Sequence, residues 1–287
     1  MKNRYNYLHI LVLFFSMQYA QIYGQQTEID TNIQSEYNHA IKLFNSKAYA
    51  ASQKYFIKVS EKSTIKNDLK ANADYYDAMC AIKLNQTNAD KKVIRFVNNY
   101  PSSTKKDRAY FNIGNYYFAN KKAAYALKWY SKVNLEALSL ANKKELNFKM
   151  GYAFLSTRNL DLAKNKFVLL INDPKYGNDS RYYFGYISYK QEDYEIAEKT
   201  LEEIADDEAY KSEVTYYLLD ISFKAGRFEK CIEVGLKLLK NAKPKEVSEI
   251  SKIIGESYFN LKKYKESIDY LKAYRGKKGK WNNTDYY

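Results

Sequence analysis

The chain of 287 residues contains few of the residues that interrupt helices or carry chemistry: three prolines, ten glycines, two cysteines and two histidines. A protein of many short strands needs turn residues in greater number, so this composition argues against an all-β fold. The sequence has no phosphate-binding loop, no HExxH and no CxxC motif. Neither Cys80 nor Cys231 has a histidine nearby in the chain, so no Cys–His nucleophile is indicated. We therefore expect no enzyme activity, no cofactor and no metal site.

Two groups of residues could still suggest chemistry. His39 stands alone in the first helix, where a partly exposed structural histidine is the favoured interpretation. Four acidic residues between 202 and 207 could recruit a divalent cation, but they lack the ligand spacing of a calcium-binding loop. The solvated end of a helix is the better interpretation of this segment.

The formal net charge is +14, from 47 lysines and arginines against 33 acidic residues. Such a charge raises the possibility of nucleic-acid binding. A lysine-rich solvated surface is the favoured interpretation of this charge, and we expect proteins or peptides as partners and no nucleic acid. Hydrophobic residues make up 46% of the chain and tyrosine alone contributes 31, which is typical of a folded protein rather than a disordered one.

The first 24 residues have the pattern of a cleaved signal peptide. Lys2 and Arg4 precede an apolar run from Leu8 to Phe15 that is too short to span a bilayer comfortably. Residues 25–31 are then a short linker. No cysteine lies in this region for lipid attachment, so the prediction is an exported protein, periplasmic or peripherally associated with the outer membrane.

A small residue followed twelve positions later by a second small residue recurs along the chain. The pairs are Ala40/Ser52, Asp77/Ala89, Gly114/Ala126, Gly151/Ala163, Gly185/Ala197, Leu219/Cys231 and Gly255/Ser267, of which the second and sixth are imperfect. The first members are separated by 37, 37, 37, 34, 34 and 36 residues. Glycine costs helix stability, so a glycine that recurs within helices indicates close packing of two antiparallel helices.

Larger side chains recur in the same frame. Three residues after the first small position, most repeats have an aromatic or apolar residue, as at Tyr117 and Phe154; four and seven residues after the second, apolar residues follow, as at Phe167 and Leu170. Steps of three, four and seven describe one face of an α-helix. The pattern predicts an all-α fold, an α-solenoid or superhelix of about seven antiparallel helix pairs.

This pattern resembles the tetratricopeptide repeat (TPR) family, in which a small residue, an aromatic, an alanine and another aromatic recur in about 34 residues. Gly185, Tyr186, Tyr194, Ala197 and Leu201 carry the resemblance well. Segments 73–103 and 109–133 are also similar to periplasmic and outer-membrane-associated TPR proteins of Bacteroidetes. Pentatricopeptide and Sel1-type repeats have comparable lengths, but the paired small positions favour the TPR frame.

The predicted solenoid covers residues 32–275, with repeats near 32–66, 67–103, 104–140, 141–176, 177–210, 211–245 and 246–275. Residues 276–287 are interpreted as a basic loop and the start of a truncated further repeat, which suggests a longer array. Asp77, Leu219 and Gly235 depart from the pattern, so irregular packing is expected around them. Cys80 and Cys231 fall in repeats four apart, too distant for a disulfide, and are expected to be buried.

In the TPR family the first helix of each repeat lines a concave surface, and the resemblance implies which positions face it. Several of these positions are aromatic here, so the functional prediction is a groove rich in tyrosine that binds proteins or peptides. The predicted contact residues are Asn115, Tyr152, Tyr182, Tyr186, Tyr216 and Asp220. The same positions could instead form the core between repeats. The resulting hypothesis is an exported scaffold for protein–protein interactions in the bacterial envelope. The alternatives are an accessory region of a larger protein with a catalytic domain elsewhere, and a module that binds glycans or peptidoglycan.

Overall fold

The computed structural model describes residues 31–63 and 68–274, and its helices come in successive antiparallel pairs. No β-strand occurs within these ranges. The predicted all-α fold of the solenoid class, with seven TPR-like helix pairs, is confirmed. Residue 31, which the sequence assigned to the linker, already lies in the first helix. The predicted signal peptide, the rest of that linker and the basic segment 276–287 lie outside the described residues.

Fourteen α-helices form the pairs within residues 31–63 and 68–274. They are α1 (31–45), α2 (Tyr49–Lys62), α3 (Asp68–Lys83), α4 (Ala89–Asn99), α5 (Lys106–Ala119), α6 (Ala123–Tyr130), α7 (Leu140–Ser156), α8 (Leu160–Phe167), α9 (Gly177–Lys190), α10 (Tyr194–Glu202), α11 (Lys211–Lys224), α12 (Phe228–Leu239), α13 (Pro244–Asn260) and α14 (Tyr264–Leu271). Short 3₁₀ turns follow α6 at Leu135–Ala137 and α8 at Val168–Leu170.

The chain divides into two compact units between residues 146 and 147. Unit 1 holds α1 to α6 and the beginning of α7, and unit 2 holds the rest of α7 and α8 to α14. Within unit 1, α3 also contacts α5, the first helix of the next pair; within unit 2, α11 contacts both α9 and α13 in the same way. The first helices of neighbouring pairs therefore lie side by side within each unit.

The recurrent glycines of the first helices sit against large side chains of the second helices. A Cβ atom added at these glycines would come within 3 Å of the residue that lies four positions after the second small residue. The four contacts are Gly114 with Tyr130, Gly151 with Phe167, Gly185 with Leu201, and Gly255 with Leu271. The small residues that recur twelve positions apart thus mark helix pairs in which a ring or a leucine of the second helix fills the space above a glycine of the first helix.

The sixth pair reverses this arrangement. Leu219, 1% exposed, stands where other first helices have a small residue, and Gly235 stands where other second helices have a large one. A Cβ atom at Gly235 would approach Ile254 of α13 to 2.6 Å. The irregularity expected from the sequence is therefore an exchange of large and small side chains that keeps the interface filled.

The second pair replaces the glycine with Asp77, whose side chain is 3% exposed. Its carboxylate accepts hydrogen bonds from Lys92 Nζ at 2.6 and 2.9 Å and from Gln53 Nε2 at 2.9 Å. Gln53 belongs to α2 and Lys92 to α4, so the carboxylate connects three helices. A buried charge with this many partners avoids the cost of an unpaired one.

Every pair turns through one residue with a positive φ angle. The residue lies seven positions after the first small residue, or eight in the second pair, and the angles run from 54° to 73°. These turn residues are Lys47, Asn85, Lys121, Arg158, Glu192, Gly226 and Lys262. A left-handed residue after a helix allows the next amide groups to reach the last free carbonyls, which ends the helix sharply.

Cys80 and Cys231 are both reduced and fully buried, as expected. The sulfur of Cys80 lies 3.7 Å from Ser52 Oγ, and that of Cys231 lies 3.7 Å from the carbonyl oxygen of Leu219. The Cys80 thiol therefore packs between the first and second helix pairs, and the Cys231 thiol packs inside the sixth pair. Burial raises the pKa of the Cys80 thiol to about 11 and also raises that of Cys231, which keeps both groups uncharged and unreactive.

Candidate functional site

The predicted contact residues of unit 2 belong to a network of tyrosines. Tyr182 of α9 stacks on Tyr210 with ring centroids 4.7 Å apart, and Tyr186 lies 5.8 Å from Tyr217 of α11. Tyr152 of α7 is 41% exposed. The structure thus brings Tyr182 and Tyr186 together, but it also engages much of their ring surface within unit 2.

Tyr152 joins the same network through Tyr183. Its ring lies edge-on to that of Tyr183 at 5.7 Å, and Tyr183 lies 5.3 Å from Tyr182. Burial raises the pKa of Tyr183 to about 12 and also raises the pKa of Tyr182. These hydroxyls are uncharged at neutral pH, so they can offer hydrogen bonds but no negative charge.

The two remaining predicted residues of unit 2 lie on α11 and differ in their surroundings. Asp220 accepts a hydrogen bond of 2.6 Å from the hydroxyl of Tyr189, and Lys224 Nζ lies 3.9 Å from its carboxylate. Burial and this bond to Asp220 raise the pKa of Tyr189. Tyr216 is half-buried and lines an open pocket of about 760 Å³.

Asn115, the predicted residue of unit 1, lies on α5. Its side-chain oxygen accepts a hydrogen bond of 2.7 Å from the hydroxyl of Tyr130, the residue that covers Gly114. Asn115 also lines an open groove of about 770 Å³. The groove runs along the carboxyl-terminal ends of α1 and α3 and along α5, so it is formed by first helices, as the TPR resemblance implies.

The groove of unit 1 is cationic and carries no carboxylate in its lining. Its charged residues are Lys47, Lys83, Lys105 and Arg108. None of the four forms an ion pair with another residue in the described ranges. Elsewhere in unit 1, lysines do find acids: Lys58 Nζ lies 2.6 Å from Glu36. These four positive charges are therefore not neutralised by ion pairs within the described residues.

The rest of the groove is polar amide and aromatic surface. Five asparagines contribute to the lining, at positions 45, 85, 112, 115 and 120. The ammonium group of Lys105 lies 5.5 Å from the ring centre of Tyr75 and 5.9 Å from that of Tyr76. The charge of Arg108 lowers the pKa of the Tyr75 hydroxyl, against the larger effect of burial. The lysine thus lies over the rings of Tyr75 and Tyr76.

The net charge of the protein is concentrated in unit 1. Its described residues contain 19 lysines and arginines against 9 acidic residues, whereas those of unit 2 contain 21 of each. Reasoning from the sequence missed the four cations of the groove because they come from different repeats and lie mostly near helix ends. A charge count over the first half of the chain is the signal that could have found them.

The described ranges show neither a candidate metal site nor a helix that could span a membrane. They contain no group of three or more histidine, cysteine or acidic side chains placed to hold a metal ion. No helix within them is long and apolar enough to cross a membrane.

The fold is similar to that of several solved structures. MamA from AMB-1 superposes with a TM-score of 0.51 at 17% identity over 60% of this chain and 91% of its own, and another MamA crystal structure gives 0.50 at 19% over 60% and 91%. YrrB, described as a TPR protein with an unusual peptide-binding site, gives 0.50 at 14% over 63% of this chain and 89% of its own. No family model and no curated protein sequence matches the chain. At these identities the similarity shows a TPR-type fold.

Proposed function

We propose that this protein is a TPR-type scaffold that binds an extended, acidic segment of a partner protein in the groove of unit 1. One observation carries the proposal: four cations line an open groove and have neither a carboxylate in that lining nor an ion-pair partner in the described ranges. An acidic segment supplies the missing counter-charges, and the charge excess of unit 1 attracts it from a distance.

The asparagines fit the backbone of such a segment. Each side-chain amide can donate to a peptide carbonyl and accept from a peptide N–H, so the amides can hold an extended chain of any sequence. Asn45 and Asn85 are exposed at the ends of α1 and α3. Charge then selects the ligand, while the amides position its backbone.

A single-stranded nucleic acid is the competing ligand for a basic groove with aromatic residues. Binding of that kind relies on bases that stack on open aromatic faces. Here Tyr75 is 4% exposed and Lys105 lies over its ring. The buried ring of Tyr75 offers little surface for stacking, which favours a protein segment.

The proposal also includes export of the protein and a second contact surface in unit 2. The N-terminal basic and apolar pattern supports export to the bacterial envelope, in a protein similar to periplasmic TPR proteins of Bacteroidetes. The tyrosine network of unit 2, with Tyr152, Tyr182, Tyr186 and Tyr216, is proposed as further contact surface for partners. A glycan-binding role for these rings is the second candidate, and glycan binding that disappears on tyrosine substitution would favour it.

Fluorescence anisotropy with a labelled acidic peptide tests the central proposal. Replacing Lys83 and Arg108 with alanine removes two charges that make no ion pair in the described ranges, and should weaken binding about tenfold or more. The matched control replaces Lys91 and Lys128, two exposed lysines outside the groove, and removes the same charge. An equal loss of peptide affinity in both variants would mean that only the net charge of the protein matters, and it would contradict a binding site in the groove.

Two further measurements complete the test. A peptide with glutamine in place of glutamate should bind at least about tenfold more weakly, because its side chains carry no charge. A single-stranded oligonucleotide of equal charge serves as the competitor. Tighter binding of the oligonucleotide, lost in the Lys83 and Arg108 variant, would replace the proposed partner with nucleic acid. Cell fractionation with and without residues 1–24 tests the proposed export.

A further inference from the structure

Unit 2 contains a second open pocket whose charge is opposite to that of the groove in unit 1. It has a volume of about 760 Å³ and lies between α11, the end of α12 and the first turns of α13. Four glutamates and two lysines contribute to its lining. The pocket therefore has a negative balance within a unit whose described residues are neutral overall.

The two lysines of the lining already have counter-charges. Lys237 Nζ lies 2.7 Å from Glu233, and Lys211 Nζ lies 3.5 Å from Glu208. Glu213 and Glu249, in contrast, form no ion pair with any residue in the described ranges. One comes from α11 and the other from α13, so two carboxylates without a cation reach the pocket from neighbouring first helices.

The floor between these carboxylates is apolar and aromatic. Val234 and Leu238 of α12 and Ile250 of α13 form it together with Tyr216. Burial raises the pKa of Tyr216 to about 12, and the charge of Glu249 adds to the effect. Apolar surface, an uncharged phenol and free carboxylates thus meet in one cavity.

A guanidinium group matches this combination better than an ammonium group does. It is planar, it stacks on aromatic rings, it is less strongly hydrated than an ammonium ion, and its forked donors suit carboxylates. Its aliphatic stem can lie on apolar side chains while its head meets the charge. An aliphatic residue next to the arginine would fill the remaining apolar floor.

The geometry points to a second binding site in unit 2, a pocket between Glu213 and Glu249 that takes an arginine side chain, flanked by an aliphatic residue, from an extended segment of a partner protein. The scaffold then has two sites of opposite charge preference, one in each unit. The site in unit 2 stands on its own contacts and does not depend on the acidic ligand proposed for unit 1.

The probe is a labelled nine-residue peptide in which leucine and arginine alternate, with binding followed by fluorescence anisotropy on the full chain. Glu213→Gln combined with Glu249→Gln should weaken binding about tenfold or more, because both charge-assisted contacts are lost. Glu229→Gln combined with Glu266→Gln is the matched control, since both are exposed and lie outside the pocket. The control variant should bind as the wild type does.

A second variant tests the cavity separately from the charge. Ala242 lines the pocket, and Ala242→Phe fills it without changing any charge. Binding should fall by a similar factor, and circular dichroism should show unchanged helicity. The Lys83 and Arg108 variant of unit 1 should bind the arginine peptide normally, which separates this site from the proposed function.

Three outcomes would overturn the proposal. The first is equal loss of binding in the glutamine pair and its control, which would mean general attraction to acidic surface. The second is normal binding by Ala242→Phe. The third is a change in sedimentation of the Glu213 and Glu249 variant without a change in peptide binding, which would make a second copy of this chain the occupant.

Discussion

Replacing Asp77 with alanine is expected to destabilise unit 1 strongly. The Asp77 side chain is 3% exposed and that of Lys92 is 16% exposed, with the ammonium group 2.6 Å from the carboxylate. Alanine would leave this lysine without its acceptor and would remove one of the acceptors of the Gln53 amide, which keeps its bond to Gln86. Breaking a buried ion pair costs about 3–5 kcal/mol, and the partial access of Lys92 to water favours the lower end, ~3 kcal/mol.

A double-mutant cycle separates the pair from its surroundings. Lys92→Met leaves Asp77 with Gln53 and with Arg95, whose guanidinium lies 3.6 Å away, so the loss should be smaller, about 1–2 kcal/mol. Changing both residues removes both charges and leaves apolar side chains, so the double variant should lie within about 1 kcal/mol of the wild type. The coupling energy between Asp77 and Lys92 is then about 3–5 kcal/mol.

Chemical and thermal unfolding followed by circular dichroism measures these differences. A loss of ~3 kcal/mol in a unit of this size should lower the midpoint temperature by about 10–15 °C. Lys91→Met is the control, because Lys91 is exposed on the same helix and forms no ion pair within the described ranges. If Asp77→Ala costs less than about 1 kcal/mol, or if the double variant is as unstable as the sum of the single ones, the network does not stabilise unit 1 as argued.

Three smaller perturbations test the turns, the buried tyrosines and the predicted contact face. Lys121→Gly should stabilise the fold by about 0.5–1 kcal/mol, because its φ angle of 58° strains residues that carry a Cβ atom; an unchanged unfolding midpoint would contradict this. Burial raises the pKa of Tyr75 to about 12, whereas in the unfolded chain it ionises near 10, so its contribution to stability is complete below pH 10 and falls as the pH rises towards 12. Phenolate absorbance at rising pH checks the pKa, and titration near 10 in the folded protein would refute it. Alanine at both Tyr182 and Tyr186 should weaken partner binding at least about tenfold while helicity is kept, and an equal loss of helicity would place these rings in the core.

The sequence allowed the helix pairs to be predicted because their packing rule is local and repeats. A glycine and the large residue that covers it lie sixteen positions apart in each regular pair, as Gly185 and Leu201 do, so the rule can be recognised along one stretch of chain. The two exceptions could not be understood in this way. Asp77 depends on Gln53 of the preceding pair, and Gly235 makes room for Ile254 of the following one.

The candidate sites were harder to predict for a related physical reason. Periodicity places Tyr182 on one face of α9, but it does not say that Tyr210, beyond the next helix, stacks on that ring. The cations of the unit 1 groove come from the turn between α1 and α2, from α3, and from α5 and the turn before it, and no repeated sequence position joins them. Contacts between repeats therefore decide which aromatic and charged residues remain available to a partner.

Ionic strength should separate the two proposed sites. Attraction of an acidic segment to unit 1 combines contacts in the groove with the long-range effect of 19 basic against 9 acidic residues in its described part. Charges farther apart than about 8 Å are largely screened at physiological salt, so affinity at this site should fall steeply as salt increases.

The pocket of unit 2 has no such long-range attraction, since the described residues of unit 2 contain equal numbers of basic and acidic side chains. Part of the binding energy at this pocket comes from apolar contact with Val234, Leu238 and Ile250. Burial of apolar surface is not weakened by salt in this range. Between low and physiological salt, the affinity for the acidic peptide should therefore decrease by a larger factor than the affinity for the arginine peptide. Equal salt dependence at the two sites would mean that the pocket attracts its ligand by charge alone, and the apolar floor would then have no part in recognition.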